Sequence, residues 1–124
     1  MVIHACCLNI PFKNNTFDYV MSISVLHHLS TEKRRNSALL EMIRVLKPGG
    51  YGILNVWSHE NQRKRQFTLG DNLVSWKTKF ETFQRYYFIY DYTMIHDLVH
   101  SIEQIHHIQI NNELGNWVVN FTKK

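Results

Sequence analysis

Apolar residues in the first part of the chain follow a strand spacing and then a helix spacing. Phe17–Ser24 is apolar almost throughout after Asp18, which is typical of a parallel strand covered on both faces. A helix is expected next, with Ser30 as its N-cap, and Pro48-Gly49-Gly50 should end it. Its apolar stripe consists of Ala38, Leu39, Met42, Ile43 and Leu46. Tyr51–Trp57 then predicts a second buried strand, so the three elements form a βαβ unit.

The remaining residues predict a further helix and a C-terminal hairpin. Val2–Cys6 is a candidate for a short strand. Residues 58–84 have no clean period and carry a basic run, so we interpret them as a long loop inserted in the domain. Thr93 should cap a helix, and Ile105–Ile110 should pair with Asn116–Phe121 across a turn. The predicted fold is a single α/β domain, with a mostly parallel sheet that ends in an antiparallel hairpin.

Composition narrows the class of protein. Hydrophobic residues make up 44% of the 124 residues and charged residues 19%, which excludes a coiled coil or a disordered chain as the main state. No apolar run reaches the roughly 18–20 residues of a membrane span, and the first residues lack the features of a signal peptide. The net charge of +4 permits an anionic partner such as RNA. The adjacent Cys6 and Cys7 fit a reducing compartment.

A set of short motifs, taken together, resembles one family of enzymes. The set consists of Leu8–Phe12, Phe17-Asp18, Ser22–Leu29, Arg44–Gly50, Asn55–Trp57, Asn72–Trp76, Arg85–Tyr87 and Gly115–Trp117. The motifs in the first part of the chain resemble class I S-adenosylmethionine-dependent methyltransferases in general. The later motifs resemble, more specifically, the tRNA wobble-uridine carboxymethyl methyltransferases. The resemblance covers nearly all of residues 5–123.

The resemblance implies a reaction, a cofactor and partners. Members of this family transfer a methyl group from S-adenosylmethionine to the carboxylate of 5-carboxymethyluridine in the tRNA anticodon. A carboxylate is already ionised at neutral pH and needs no catalytic base. The protein then chiefly has to desolvate and align the two reactants, which is worth roughly 7–11 kcal/mol. The implied partners are tRNA and a small zinc-ribbon activator protein, and no contact with a membrane is expected. The implied location is the cytoplasm and also the nucleus.

The family match also implies which residues line the site. His27 and His28 follow a central strand, at the end where α/β sheets bind their ligands. We expect one imidazole to form a hydrogen bond with the substrate carboxylate or uracil, and the alternative is a pair satisfied by backbone groups. The residues expected near the methyl donor are Cys6, Cys7, Leu8, Ser24 and Val25. Cys6 stands where the family has an acidic residue, and a thiol is a weak replacement for that acceptor.

Substrate contacts are expected from the second half of the chain. Arg85, Tyr86 and Tyr87 match an Arg-Tyr-Tyr motif of the family. A guanidinium can clamp a carboxylate or phosphate, and a Tyr ring can stack on a base. The alternative is a core aromatic cluster with a surface arginine. A basic set could contact tRNA phosphates or merely form a solvated face. That set consists of Arg63, Lys64, Arg65, Lys77 and Lys79.

The sequence departs from the family in the donor site. Its five glycines do not form the glycine-rich turn that begins this site, so the chain resembles a family member without its first part. In that case Phe17–Ser24 would be an exposed sheet edge, prone to pair with another chain. Two other functions stay open, a non-catalytic protein that binds RNA or a partner, and a generic small-molecule methyltransferase. His96 and His100 have helical spacing but lack a third ligand, so no metal site is expected.

Overall fold

The computed structural model describes residues 1–60 and 67–124. Within these ranges the chain forms two helices, six strands and a short 3₁₀ turn at Leu26–His28. The helices are α1 (Glu32–Val45) and α2 (Tyr92–His100). The strands are β1 (Phe17–Ile23), β2 (Leu46–Trp57), β3 (Gly70–Lys77), β4 (Thr82–Ile89), β5 (Ile105–Glu113) and β6 (Asn116–Lys123). None of the helices in these ranges is long and apolar enough to cross a membrane.

A four-stranded sheet with the order β1-β2-β6-β5 forms the body of the domain. Strand β1 runs parallel to β2 and is joined to it through α1, as the βαβ prediction requires. Strand β6 is antiparallel to both β2 and β5, so the expected C-terminal hairpin is present. The predicted α/β fold with its C-terminal antiparallel hairpin is therefore confirmed, and the sheet is mixed, since only the β1–β2 pairing of its three described pairings is parallel. Strands β3 and β4 form a separate two-stranded antiparallel sheet.

The hydrophobic core lies between the sheet and the two helices. Leu54 of β2 pairs with Val119 of β6, and both side chains are inaccessible to solvent. They belong to one core cluster with Leu39 of α1 and Ile95 of α2. Each fully buried side chain of this type stabilises the fold by roughly 1.5–3 kcal/mol. The alternating burial along β2 shows that the helices cover one face of the sheet.

The opposite face of β1 is exposed, which corrects the expectation of a strand covered on both faces. Tyr19, Met21 and Ile23 are 76%, 67% and 51% exposed. Within residues 1–60 and 67–124, β1 pairs with β2 alone, so it is an edge of the sheet as expected. The apolar run predicted two covered faces, but both helices pack on the same side. A long apolar strand is therefore open at one edge and on one face.

The caps of both helices differ from those predicted. The hydroxyl of Thr31, not that of Ser30, accepts a hydrogen bond of 3.2 Å from the backbone N–H of Arg34. At α2 the carboxylate of Asp91 accepts a hydrogen bond of 2.7 Å from the N–H of Met94. Side-chain oxygens at both positions satisfy an N–H group that would otherwise lack a partner in the first turn.

Two other predictions of local structure are wrong. Val2–Cys6 does not form a strand, since Cys6 makes only an isolated bridge with Asn9. Val2 in the same segment is exposed. Residues 70–77 and 82–84, within the segment interpreted as a loop, belong to the β3–β4 hairpin. That hairpin exposes most of its side chains, so its sequence lacks the alternation of a strand with one buried face.

Candidate functional site

The candidate site lies at the carboxyl ends of β1 and β2, which meet because the two strands are parallel. Ser24 follows β1, and its backbone N–H donates a 3.1 Å hydrogen bond to the carbonyl of Asn55. Its hydroxyl donates to Oδ1 of the same residue across 3.3 Å. Ser24 has a φ of 55°, in the left-handed region that L-residues seldom occupy. This turn leads the chain from β1 into the 3₁₀ turn that carries His27 and His28.

The imidazole of His27 is fully buried and acts as an acceptor at one nitrogen. The backbone N–H of Trp57 donates to its Nδ1 across 3.1 Å, so Nε2 carries the proton. Among the described residues this Nε2 has no hydrogen-bond partner. Burial, and then the neighbouring His28, lower the pKa of His27 to about 3. His27 is therefore neutral at physiological pH, with one free N–H donor.

His28 has the opposite arrangement. Its Nδ1 lies 3.0 Å from the backbone carbonyl of Tyr86. A carbonyl oxygen only accepts, so Nδ1 carries the proton and the neutral ring has its lone pair at Nε2. His28 is half-buried, whereas His27 is completely covered. Each ring is thus held by one backbone group. The remaining nitrogen is a donor in His27 and an acceptor in His28.

An aromatic cluster packs beside the two histidines. Tyr87 stacks on Trp57 with ring centroids 4.1 Å apart and on His27 at 5.3 Å. It also meets the edge of His28 at 4.4 Å. Tyr87 is only 2% exposed, so its ring is a wall of the site rather than an open platform for a base. The buried position of this ring matches the alternative in which Tyr87 belongs to a core aromatic cluster.

The Arg-Tyr-Tyr segment is divided between two faces of β4. Arg85 is exposed, and its guanidinium lies 4.4 Å from the centre of the Trp76 ring. The hydroxyl of Tyr86 instead forms hydrogen bonds with Asp71 and with Arg35. Burial and the hydrogen bond to Asp71 raise the pKa of Tyr86. Because side chains alternate along a strand, these three residues do not form one clamp.

The residues expected near the methyl donor are only partly brought together. Cys7 and Val25 line an apolar pocket of about 180 Å³ between β1 and α1. Leu8 lines a different groove, Cys6 is exposed, and Ser24 bonds to Asn55 as described above. Burial, and then the neighbouring Cys6, raise the pKa of the Cys7 thiol, which keeps it protonated.

Two of the five basic residues predicted to contact RNA lie in the described part of the chain. Arg63, Lys64 and Arg65 lie outside the described residues. Lys77 and Lys79 are exposed at the closed end of the β3–β4 hairpin. Three aromatic rings are exposed at the same end, and these are Trp76 at 43%, Phe80 at 88% and Phe83 at 49%. The two lysines are predicted from the sequence as RNA contacts, whereas the three rings are not, because the hairpin that exposes them lacks the period of a strand.

Asn55 and the backbone groups of Trp57 and Tyr86 also belong to the site, and they are not predicted from the sequence. The position of Asn55 follows from the parallel pairing, since it lies opposite Ile23 in the register of β1 and β2.

The stacked rings of His96 and His100, 4.0 Å apart, lie on α2. In the parts of the chain covered by the structure, no group of three or more metal-ligating residues occurs.

The comparisons with known proteins identify the class of fold. A family profile described as a methyltransferase domain matches residues 1–54. An S-adenosylmethionine-dependent methyltransferase from Methanosarcina mazei has a similar structure, with a TM-score of 0.71 and 18% identity. That match covers 96% of this chain and 65% of the Methanosarcina chain. The fold is therefore that of class I methyltransferases.

Two curated proteins show the closer relationship in sequence. An Encephalitozoon cuniculi protein named as a methyltransferase is 43% identical over 89 residues, which are 67% of this chain and 42% of that protein. The tRNA (carboxymethyluridine(34)-5-O)-methyltransferase of Arabidopsis thaliana is 46% identical over 61 residues, or 49% of this chain and 15% of the enzyme. The predicted resemblance to tRNA carboxymethyluridine methyltransferases is confirmed. The chain spans less than half the length of these two relatives.

Proposed function

We propose that this chain takes part in S-adenosylmethionine-dependent methylation of 5-carboxymethyluridine at the tRNA wobble position, and that its described residues contact the nucleotide. The observation that carries the proposal is the pair of oppositely polarised imidazoles at the carboxyl ends of β1 and β2. Similarity to the Arabidopsis thaliana enzyme supports the choice of substrate. In this proposal the protein acts in the cytoplasm and also in the nucleus.

In this proposal His28 contacts the nucleotide, and His27 positions the ring of His28. His28 is half-buried, and the lone pair at its Nε2 can accept the N3–H of a uracil. His27 lies behind it, with ring centroids 4.5 Å apart, and is fixed by the N–H of Trp57. A neutral, fixed ring keeps its hydrogen-bond polarity at the pH where tRNA is modified. The carboxylate that accepts the methyl group is already charged and needs no base.

The described residues fit only a part of the methyl donor. The pocket between β1 and α1 measures about 180 Å³, whereas pockets for ligands of drug size usually measure about 300–1,000 Å³. Among the residues that the structure describes, its lining contains no acidic or basic side chain, although the donor carries an amino group, a carboxylate and ribose hydroxyls. Cys7 and Val25 line this pocket and remain proposed donor-side residues. Ser24, Cys6 and Leu8 remain so too, although they do not line it. We therefore derive no step through the donor from these residues.

The closed end of the β3–β4 hairpin supports contact with RNA. Exposed rings of Trp76, Phe80 and Phe83 can stack on unpaired bases, and every base offers such a face. Lys77, Lys79 and Arg85 are available there for phosphates, and they carry the sequence-independent part of affinity. Arg63, Lys64 and Arg65 remain proposed contacts of the RNA and lie outside the described residues. The combination suits an anticodon loop, whose bases are unpaired.

Binding to three RNA stem-loops tests the nucleotide contact. The loops carry uridine, 5-carboxymethyluridine or its methyl ester at the wobble position, and affinity is measured by fluorescence anisotropy. We expect the carboxymethyl loop to bind more tightly than the uridine loop. His28→Asn keeps a donor for the Tyr86 carbonyl but removes the Nε2 acceptor for the uracil N3–H, so it should weaken the binding of all three loops. His4→Asn is the matched control. Unchanged affinity of His28→Asn would refute the contact of His28 with the nucleotide, and equal affinity of the unsubstituted chain for all three loops would refute the choice of substrate.

A non-catalytic RNA-binding or partner-binding protein is the second candidate, because the donor fits only in part. Titration calorimetry with S-adenosylmethionine distinguishes the two, followed by mass spectrometry of carboxymethylated tRNA for the ester. Saturable donor binding with ester formation supports the enzyme. RNA binding without donor binding supports the second candidate. The small zinc-ribbon activator is part of the enzyme proposal, so both measurements are repeated with it present.

A further inference from the structure

A surface pocket of about 470 Å³ lies between α1, α2 and the end of β4, and neither His27 nor His28 lines it. We call it the interhelical pocket. Its size falls within the range of about 300–1,000 Å³ that is usual for small-ligand sites. Its wall includes the apolar side chains Phe88, Met94 and Leu98. These side chains can hold the apolar part of a ligand.

Two deeply buried polar side chains belong to the same pocket. Tyr90 is 3% exposed and Arg35 is 6% exposed. Within residues 1–60 and 67–124, the hydroxyl of Tyr90 has no hydrogen-bond partner. A buried hydroxyl without a partner destabilises a protein, because it has lost its hydrogen bonds to water. An acceptor atom on a ligand would remove that cost.

Arg35 carries a buried positive charge. Its guanidinium donates to the carbonyl of Leu29 at 2.8 Å and to the hydroxyl of Tyr86 at 3.2 Å. It also lies 3.8 Å from the centre of the Phe88 ring. In the part of the chain that the structure describes, no carboxylate lies within ion-pair distance of it. Buried charges are normally paired, so Arg35 and Tyr90 together favour an anionic acceptor group.

The rim of the interhelical pocket has the opposite charge. Glu32 and Asp97 both line it, and both are exposed. Asp97 also contacts the imidazole of His96 at 3.1 Å. Two carboxylates at the mouth repel a simple anion and attract an ammonium group. The arrangement therefore places a site for negative charge inside and a site for positive charge at the rim, with an apolar wall beside them.

We propose that the interhelical pocket binds a small zwitterion of the amino-acid type that carries a large apolar side chain. Its carboxylate would face Arg35 and Tyr90, its ammonium group would face Glu32 and Asp97, and its side chain would pack on Phe88. This site is separate from the proposed methyl transfer, so either can fail without the other.

Three probes of similar shape test the charge pattern on the ¹⁵N-labelled full chain. L-phenylalanine has both charges, phenylacetate lacks the ammonium group, and phenethylamine lacks the carboxylate. We expect L-phenylalanine to shift the backbone amide signals of Asn36, Phe88 and Leu98 in a saturable way. Phenylacetate should bind more weakly and phenethylamine weakest of all. Equal binding of phenethylamine and L-phenylalanine, or shifts elsewhere in the protein only, would overturn the proposal.

Tyr90→Phe supplies a test that separates binding from folding. It removes the hydroxyl without changing the ring, so the free protein should be equally or more stable. Affinity for L-phenylalanine should fall at least about tenfold, as for a lost hydrogen bond to a charged group. Tyr92→Phe, at an exposed tyrosine at the start of α2, is the control. Unchanged affinity in Tyr90→Phe, or lower stability of the free variant, would mean that the hydroxyl serves the fold and not a ligand.

Discussion

The backbone N–H of Trp57 donates a hydrogen bond to Nδ1 of His27 across 3.1 Å, between residues 30 positions apart in the chain. This contact fixes the ring tautomer and joins the end of β2 to the 3₁₀ turn after β1. A protonated His27 could not accept this hydrogen bond, and its charge would be buried. The stability of the fold and the polarity of the candidate site therefore depend on the same neutral ring.

We expect the free energy of unfolding to decrease when the pH is lowered, because of the protonation of His27. Its pKa is lowered from 6.5 to about 3 in the folded protein. The unfolded chain therefore binds more protons between these values, and stability is complete above pH 6.5 and is lost as pH falls toward 3. The loss is on the order of 4 kcal/mol over this interval. Urea denaturation at pH 7, 6, 5 and 4 measures it.

His27→Asn isolates the contribution of this ring, since the Asn side chain offers an oxygen near the position of Nδ1. The variant should be less stable at pH 7 and should show a smaller fall in stability between pH 7 and 5. His4→Asn, at an exposed histidine, should keep the slope of the unsubstituted protein. If His27→Asn retains the full slope, another group titrates in this range.

The segment before β1 should be held by Glu41 and Arg44. The Glu41 carboxylate accepts the N–H of Ile10 at 2.8 Å, and Arg44 donates to the carbonyls of Ile10 and Phe12 at 2.9 and 2.8 Å. The hydrogen bond to Arg44 lowers the pKa of Glu41, so the carboxylate stays charged in mild acid. In Glu41→Ala we expect the amide of Ile10 to exchange its hydrogen much faster.

Glu41→Gln separates charge from hydrogen bonding, because its amide oxygen can still accept the N–H of Ile10. Hydrogen exchange at Ile10 in this variant should be intermediate between Glu41→Ala and the unsubstituted protein. The amide of Val119, in the core sheet, serves as the internal control. Equal exchange at Ile10 in all three proteins would show that the segment is held by other contacts.

Gly52 should not tolerate a side chain. A Cβ atom at this position would lie 2.2 Å from Cζ of Phe121, a ring that is inaccessible to solvent and lies directly opposite in the register of β2 and β6. We expect Gly52→Ala to lower the free energy of unfolding by about 1–3 kcal/mol, the usual cost of an overpacked core. Phe121→Leu shortens the opposing side chain. The double variant should then lose less stability than the sum of the single variants, and simple additivity would contradict this contact.

The βαβ unit and the C-terminal hairpin could be predicted because their apolar positions repeat with a clear period. Strand β3 could not, since only Gly70 and Val74 among its residues are buried. The position of His27 and His28 followed from the strand before them. Their tautomers did not, because they depend on Trp57 and on the carbonyl of Tyr86, which is 58 positions from His28. Parallel strand ends can be expected to meet, but sequence does not show which backbone group faces which ring nitrogen.

The open edge of β1 should make the purified chain associate with itself. One face of β1 carries three exposed apolar side chains, those of Tyr19, Met21 and Ile23. They lie beside a strand edge with which no other strand in residues 1–60 and 67–124 pairs. Such an edge is a template for a strand from a second molecule. We expect the sedimentation coefficient to rise with protein concentration. Met21→Lys should reduce this rise, because strand pairing or stacking would bury the added charge. Leu114→Lys adds the same charge at a turn that is 95% exposed and should leave the association unchanged. An equal decrease in both variants would show that net charge, and not the edge of β1, controls the association.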